Sequence, residues 1–306
     1  MQAARIQDFG SHADVATRTI ALAPPGTGEA VVRIEAAGVN PLDVKMIAGD
    51  MQQVFPAALP YTPGTDFSGI VTALGADAHG VKVGDRVVGR RAPGSGGAFA
   101  EYTLAQADTL VVLPDAMSYE QAAALPTAFG TAWQALFDAG KLRAGQRVLV
   151  HAGAGGVGSF AIQLAKRCGA WVAATASAGN LGLLRELGAD DAIDYRADDF
   201  TRLSGVDLVL DTVGGQTLAR SWQVLAEGGT LATLVDFAIA PQDGRHGSFV
   251  FFSDAAPALR EAMALFAEGR LQIVIDSLYP LDQAAEALHK VASGHVRGKV
   301  VVRTAR

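Results

Sequence analysis

The chain has 306 residues, half of them hydrophobic and 18% charged, with a formal net charge of -6. That length suits two domains, the apolar share excludes a disordered chain, and an acidic balance without a long basic run excludes a nucleic-acid binder. A single cysteine, Cys168, excludes an intramolecular disulfide and a cysteine-built metal site, and is expected as a buried, inert thiol. No apolar stretch approaches the roughly 20 residues of a membrane span. Met1–Gly10 also lacks a signal-peptide core. A soluble, cytoplasmic protein that uses no membrane is therefore expected.

From the N-terminus, the first hundred residues read as short strands and turns. Ala30–Ala36 alternates, Gly69–Leu74 and Val81–Gly89 follow, and Pro24-Pro25-Gly26 and Pro63-Gly64 punctuate them. Helices are predicted over Tyr119–Leu125 and Thr127–Ala139, with Pro126 between them. Strands and helices then alternate. The strands are 147–152, 171–176, 192–194, 206–211 and 229–235, and the helices 157–168, about 180–187 and about 215–226. Helices at Pro257–Glu268 and Asp282–Ala292 and a strand at Lys299–Arg303 follow. The order predicts an α/β protein built on βαβ units. A central Rossmann domain with a doubly wound parallel sheet is expected over 118–249. A discontinuous, mostly β outer domain takes 1–117 and 250–306. No polar linker separates the two, so a tight junction with a cleft is expected.

The most informative segment is Gly153-Ala154-Gly155-Gly156-Val157-Gly158, which fills G-x-G-x-x-G. The apolar run Arg147–Ala152 precedes it and an amphipathic helix from Ser159 to Arg167 follows. This strand, turn and helix suit a dinucleotide pyrophosphate. Gly153 is expected to allow the tight turn, Gly155 to admit the phosphates, and Gly158 to let helix and strand pack closely. The free N–H groups at the helix start then face the anion.

The next strand, Trp171–Ala176, ends at Ser177 with Asn180 close behind, where an NAD-specific domain carries an acidic residue for the ribose 2′-OH. A hydroxyl and an amide there favour NADPH, or else simply cap the following helix. Asp211-Thr212-Val213-Gly214-Gly215 ends the fourth strand at the sheet's carboxyl edge, where ligands of doubly wound folds bind.

Several segments in order resemble the medium-chain dehydrogenases/reductases, in their zinc-independent quinone oxidoreductase (zeta-crystallin-like) branch. They are Gly38-Val39-Asn40-Pro41-Leu42-Asp43, Pro63-Gly64-Thr65-Asp66-Phe67-Ser68-Gly69, Gly84-Asp85-Arg86-Val87, Gly97-Ala98-Phe99-Ala100-Glu101-Tyr102, Gly145 through Lys166 with Gln163, and Gly298-Lys299-Val300-Val301. The resemblance implies a GroES-like outer domain and an NADPH-dependent enzyme. It implies hydride transfer to a small-molecule acceptor, a quinone or an enone. Asn40 stands where zinc-dependent relatives have a Cys, Thr65-Asp66 replaces their His-Glu pair, and their four-Cys loop is missing, so no metal is expected.

By the same resemblance, Asn40, Asp43 and Lys45 are the catalytic candidates. Asn40 would donate to a substrate carbonyl as charge develops on it. Lys45 would act electrostatically, or is a solvated surface lysine. The cofactor candidates are Thr127, Gly153, Gly155, Gly156, Val157, Gly158, Ser177, Asn180, Tyr195, Val213, Gly214, Phe251, Phe252 and Lys299, with Asp211 structural. Tyr195 is alternatively an ordinary strand-end aromatic, and the Phe pair plain core. The branch also implies a homodimer through an edge of the Rossmann sheet, for which Thr230–Phe237 offers an apolar late strand, unless the chain's own Ala238–Phe252 loop covers that edge. Two other readings stand beside this one: a 2-alkenal, enone or enoyl-thioester C=C reductase, and a low-turnover nucleotide-binding protein with a structural or regulatory role.

Overall fold

The structure, a computed structural model, describes residues 1–252 and 254–304. The chain begins with β1 (Gln2–Arg5), β2 (Ala16–Thr19), β3 (Glu29–Val39), α1 (Pro41–Ala48), β4 (Asp66–Leu74), β5 (Arg86–Arg90), β6 (Tyr102–Gln106), β7 (Val111–Val112), α2 (Tyr119–Ala123) and α3 (Pro126–Trp133). It continues with β8 (Arg147–Val150), α4 (Gly156–Arg167), β9 (Trp171–Ala176), α5 (Leu181–Glu186), β10 (Asp191–Asp194), β11 (Val206–Asp211), α6 (Gly215–Ser221), β12 (Leu225–Thr233) and β13 (His246–Phe249). Then come α7 (Ala256–Ala267), β14 (Ile275–Pro280), α8 (Ala284–Ala292) and β15 (Lys299–Arg303).

Two compact units result, Met1–Thr127 with Asp254–Arg306, and Ala128–Ser253. The first boundary follows Thr127 rather than 117, and the second follows Ser253 rather than 249. The physical reason for the first is α2. Its Ala122 and Ala123 are fully buried, and Ala123 packs with Ala36 and Val301 of the first unit's sheet. Gly38 of β3 lies so close beneath α2 that an added Cβ would strike the Ala123 carbonyl.

In the first unit, the sheet order is β14-β15-β3-β4-β5-β7, with β6 also pairing β3. Ala30, Val32 and Ile34 of β3 alternate into the core, as the period of a strand requires. A bulge between Ile34 and Ala36 then shifts the register, so that Ala37 and Val39 continue on the same face. The strand predicted over Val81–Gly89 is limited to β5. Gly84 adopts φ 93°, Lys82 N–H donates to the Asp85 carboxylate, and Val83 is exposed, which makes 81–85 a turn.

In the second unit, six parallel strands run in the order β10-β9-β8-β11-β12-β13. The first strand of this series lies beside the second on one side and the fourth on the other, which is the Rossmann order. Val148–Val150, Val172–Ala174 and Leu208–Leu210 are almost wholly buried, as strands covered on both faces must be. Four expectations change here. The helix predicted to 226 ends at Ser221, because Leu225 already pairs with Val206 as the start of β12. The helix expected from Thr127 to Ala139 begins at Pro126, which suits a first helical position, and becomes π-helical over Gln134–Ala139. The edge strand is β13, which pairs in parallel with Thr230–Thr233 of β12, so Thr230–Phe237 is not an open edge. Cys168 caps the end of α4 and is half-buried rather than buried, with its thiol 3.8 Å from the Leu142 carbonyl.

Candidate functional site

Two sets of polar groups stand out, one in each unit. In the second unit, β8 ends in a turn that leads directly into α4. Ala152, not Gly153, takes the left-handed backbone there, at φ 50°. Gly153 is needed for space instead: an added Cβ would lie 2.9 Å from both Ala174 Cβ and Leu184 Cδ2. At Gly158 a Cβ would strike the Ala152 carbonyl and come within 2.7 Å of Gly153 Cα, so helix and turn touch through backbone. Gly155 is different. A Cβ there would meet only the Ala152 carbonyl oxygen, at 3.3 Å. Gly155 is the N-cap of α4 and supplies no side chain to bond the first N–H groups. Those of Gly156, Val157 and Gly158 therefore have no side-chain cap at the positive end of a twelve-residue helix, a fit for a pyrophosphate.

At the carboxyl edge beside this turn, Ala176 of β9 is in register with Asp194 of β10, and Tyr195 N–H donates to the Ala176 carbonyl at 3.1 Å. Ser177 and Tyr195 therefore leave neighbouring strands side by side. Asn180 Nδ2 donates to Ser177 Oγ at 3.3 Å, so the Ser177 hydroxyl keeps its own hydrogen to donate. Ser177 precedes a short helical turn but makes no side-chain cap bond to it.

At the end of β11, Asp211 is completely buried and accepts from the backbone N–H groups of Val213 and Gly214 and from the Thr233 hydroxyl. It is a structural clamp that presents exposed Val213, with Gly214 at φ 79°. Phe252 lies over Gly130, where an added Cβ would collide with its ring, and Phe251 is exposed. His151 joins Ser221 at 2.9 Å and Thr175 at 3.2 Å, and burial pushes its pKa down to about 4. It is thus a neutral core residue.

In the first unit, Asn40 ends β3 and opens α1. Its backbone N–H donates to Asp43 Oδ2 at 2.8 Å, which fixes the first turn of the helix. Its side chain is held from both sides: Nδ2 donates to Asp66 Oδ2 at 2.9 Å, and Oδ1 accepts from the Lys299 ammonium. Lys299 also donates to the Val39 carbonyl at 2.8 Å. Asp66 is completely buried and further accepts from Thr127 N–H at 3.0 Å, Thr127 Oγ1 at 2.6 Å and Thr65 Oγ1 at 3.2 Å. Arg90 Nε donates to Thr127 Oγ1 at 3.0 Å and lies 3.9 Å from Asp66. Two cations and two carboxylates thus share one buried cluster. Burial holds Arg90 and Lys299 below their ordinary pKa values.

The structure brings Asn40, Asp43, Thr127 and Lys299 together. It does not bring in Lys45, which is exposed on α1. Thr127 N–H and Oγ1 donate to Asp66, and Lys299 donates to Asn40 Oδ1 and the Val39 carbonyl, so both residues are tied to the group that holds Asn40. Sequence reasoning does not single out Asp66 or Arg90 as site residues. Asp66 lies within the P-G-T-D segment, but its partners are up to 61 residues away, and only the fold assembles them.

Asp43 has one buried oxygen, Oδ1, without a partner. Burial, reinforced by the Asp66 charge, pushes its pKa up to about 7. A carboxyl whose pKa is raised by folding lends its stability fully below its ordinary value of 3.8 and loses it as the pH rises through about 7. The denaturant midpoint of the protein is therefore expected to fall as the pH rises from about 4 to about 7 and to level off above that, and Asp43→Asn is expected to flatten that fall. An equal fall in both proteins would remove Asp43 as its cause.

A divalent metal does not fit the cluster. Zinc needs three or four unencumbered N, S or O donors. Here the oxygens of Asn40 and Asp66 already accept hydrogen bonds, and the Lys299 and Arg90 cations stand against them. Among the described residues no group of three or more His, Cys, Asp or Glu is placed to hold a metal.

The "Alcohol dehydrogenase GroES-like domain" family model matches residues 26–115, and the "Zinc-binding dehydrogenase" model matches residues 187–302. A 2-methylene-furan-3-one reductase of Solanum lycopersicum is 36% identical over 315 residues, covering 99% of this chain and 79% of the relative. The solved quinone oxidoreductase from Coxiella burnetii is 34% identical, with a TM-score of 0.92 over 100% of this chain and 99% of that one. The Escherichia coli quinone oxidoreductase complexed with NADPH is 26% identical, with a TM-score of 0.89 over 99% of this chain and 100% of that one. The chain belongs to the medium-chain dehydrogenase/reductase superfamily and, within it, to the quinone oxidoreductase branch.

Proposed function

We propose that the chain is an NADPH-dependent, zinc-independent oxidoreductase acting on a quinone or another electron-poor small molecule. The observation that carries the reading is the helix start at Gly155–Gly158, where no side chain caps the first N–H groups, on a turn in which Gly153 and Gly158 are required by packing while a Cβ at Gly155 would meet only the Ala152 carbonyl oxygen. The pyrophosphate would lie on Gly156–Gly158. Ser177, Asn180 and Tyr195 would receive the adenosine end, and Val213, Gly214, Phe251 and Phe252 would lie further along the cofactor. NADPH, when bound, supplies the hydride. The protein's part is to orient the ring and exclude water. Asn40 would present its amide to the acceptor's oxygen, held at that angle by Asp66 and Lys299, with Thr127 and Arg90 fixing Asp66 in turn. Support for NADPH comes from the E. coli quinone oxidoreductase complex and from the hydroxyl at Ser177.

A second reading, reduction of a polarised C=C, is favoured by the 36% identity to the furanone reductase. One experiment decides: NADPH oxidation with a panel of quinones, alkenals and enoyl thioesters, with product analysis. Turnover is expected to survive prolonged chelation, with no stoichiometric zinc by elemental analysis. Loss of activity restored by Zn²⁺ would refute the metal-free reading. Cofactor binding without oxidation by any acceptor would point to a nucleotide-binding protein with little turnover.

The reading includes a homodimer and a cytoplasmic location. No described helix is long and apolar enough to cross a membrane. For the dimer, β13 leaves an edge in the second unit, with the exposed Phe237 ring centred 4.2 Å from that of Phe249 and tilted 31° to it. Two such edges related by a two-fold axis would cover one another. Light scattering is expected to give twice the chain mass of 31.6 kDa, and a value near one chain mass would exclude the dimer.

A further inference from the structure

Arg196 lies one residue past Tyr195, in a loop that leaves β10. Its Nε donates to the Tyr195 phenol oxygen at 3.2 Å, and its guanidinium carbon lies 5.4 Å from the Tyr195 ring centre. Both side chains are exposed. Around the carboxyl ends of β9 and β10, the residues are Ala176, Ser177 and Ala178 on one strand and Asp194, Tyr195 and Arg196 on the other. Arg196 is the one cation among these six.

The neighbouring carboxylates are turned to other work. Asp194 Oδ1 accepts from the Arg196 backbone N–H at 3.1 Å, and Asp198 Oδ2 accepts from the Asp194 N–H at 3.2 Å. Asp199 is held by Thr201 and by Arg220. Among the described residues, no carboxylate forms an ion pair with the Arg196 side chain, whose two terminal NH₂ groups are unassigned.

We infer that Arg196 sets the preference for a phosphorylated dinucleotide, by pairing with a phosphate monoester on the adenosine ribose. The inference rests on the NADPH reading above and names the group that reading lacks, since Ser177 and Asn180 carry no charge. Three donors belong to residues at the two strand ends: the Ser177 hydroxyl, the Tyr195 hydroxyl (whose oxygen already accepts from Arg196) and the guanidinium fork. Neighbouring parallel strands lie about 4.8 Å apart, so one phosphate spans the distance between their exit residues. A planar guanidinium matches two phosphate oxygens at once, and a charge-assisted pair of this kind is stronger than the neutral bonds Ser177 and Asn180 offer. The stack on Tyr195 keeps the side chain near the strand end without burying it.

The test is fluorescence titration of NADPH and NADH against the full chain, as wild type, Arg196→Ala and Arg196→Lys, at low and high salt. Arg196→Ala is expected to raise the NADPH Kd by about tenfold or more, leave the NADH Kd within about twofold, and weaken the salt dependence for NADPH. Arg196→Lys is expected to recover part of the loss, because it restores charge but not the fork. A wild type that prefers NADPH together with an unchanged Arg196→Ala overturns the role of Arg196 alone. Equal weakening for both nucleotides also overturns it, showing that the residue only props the Tyr195 loop. A wild type without NADPH preference overturns both the role of Arg196 and the NADPH reading beneath it.

Discussion

Asp66→Ala is expected to lower the stability of the protein by about 3–5 kcal/mol, the usual cost of removing one partner from a buried ionic group. Asp66 is completely buried and takes hydrogen bonds from Asn40, Thr65 and Thr127, with Arg90 3.9 Å away. Alanine removes every one of those acceptors and leaves Lys299 and Arg90 as buried cations, with only Asp43 opposite them. Asp66→Asn keeps one acceptor oxygen and is expected to lose less. Lys45→Ala is the control, because Lys45 is exposed on the same helix as Asp43, and its effect is expected to stay within about 0.5 kcal/mol. Denaturant midpoints of the four proteins check the series. If Asp66→Ala behaves like Lys45→Ala, the cluster holds nothing together. Turnover carries a second readout: Asp66→Asn that folds normally is expected to lower kcat, because the Asn40 amide loses its anchor.

The second large effect is at the glycine turn, where two neighbours are expected to fail in different ways. Gly158→Val pushes a branched side chain into the Ala152 carbonyl and toward Gly153 Cα at 2.7 Å. Backbone cannot yield there without moving α4 off β8, so NADPH binding is expected to be lost together with a drop in stability. Gly155→Ala meets only the Ala152 carbonyl oxygen, at 3.3 Å. It is expected to keep a nearly wild-type unfolding midpoint while NADPH affinity falls by about tenfold or more, because its methyl occupies space left for the pyrophosphate. Circular dichroism melts beside fluorescence titration separate the two. Wild-type NADPH affinity in Gly155→Ala would remove this turn as the phosphate site.

What could be read from the sequence was local. The strand Trp171–Ala176, the strand Val206–Asp211 and the closing strand Lys299–Arg303 were bounded correctly, because apolar, β-branched runs and flanking turns mark each one. The glycine turn was legible for the same reason, although the residue that takes its left-handed backbone is Ala152, which no composition rule singles out. β13 was missed because His246-Gly247-Ser248-Phe249 has no alternation, and pairing with β12 alone makes it a strand. The boundary after Thr127 was misplaced because the small apolar residues of α2 would suit either sheet equally. The polar cluster was half legible. Asn40 and Asp43 lie three residues apart in a helix start, but Asp66, Arg90, Thr127 and Lys299 become partners only through long-range pairing. Arg196 carried no motif at all, and its position beside Ser177 follows from the β9–β10 register.

The bond between Asn40 and Lys299 joins residues 259 positions apart, across the whole of the second unit. The second unit is one continuous stretch of chain, whereas the first draws β14 and β15 from beyond it. During synthesis the nucleotide-binding sheet therefore has all its strands while β3 still lacks its β15 neighbour, and Asp66 and Asp43 face one another without the Lys299 ammonium. The cost of closing so long a loop grows only slowly with its length, and it falls further once the intervening segment has condensed into a folded body. Asn40 can take its fixed orientation only after β15 has been made, so on the proposed function a truncated chain lacking β15 is expected to hold nucleotide without turning over an acceptor.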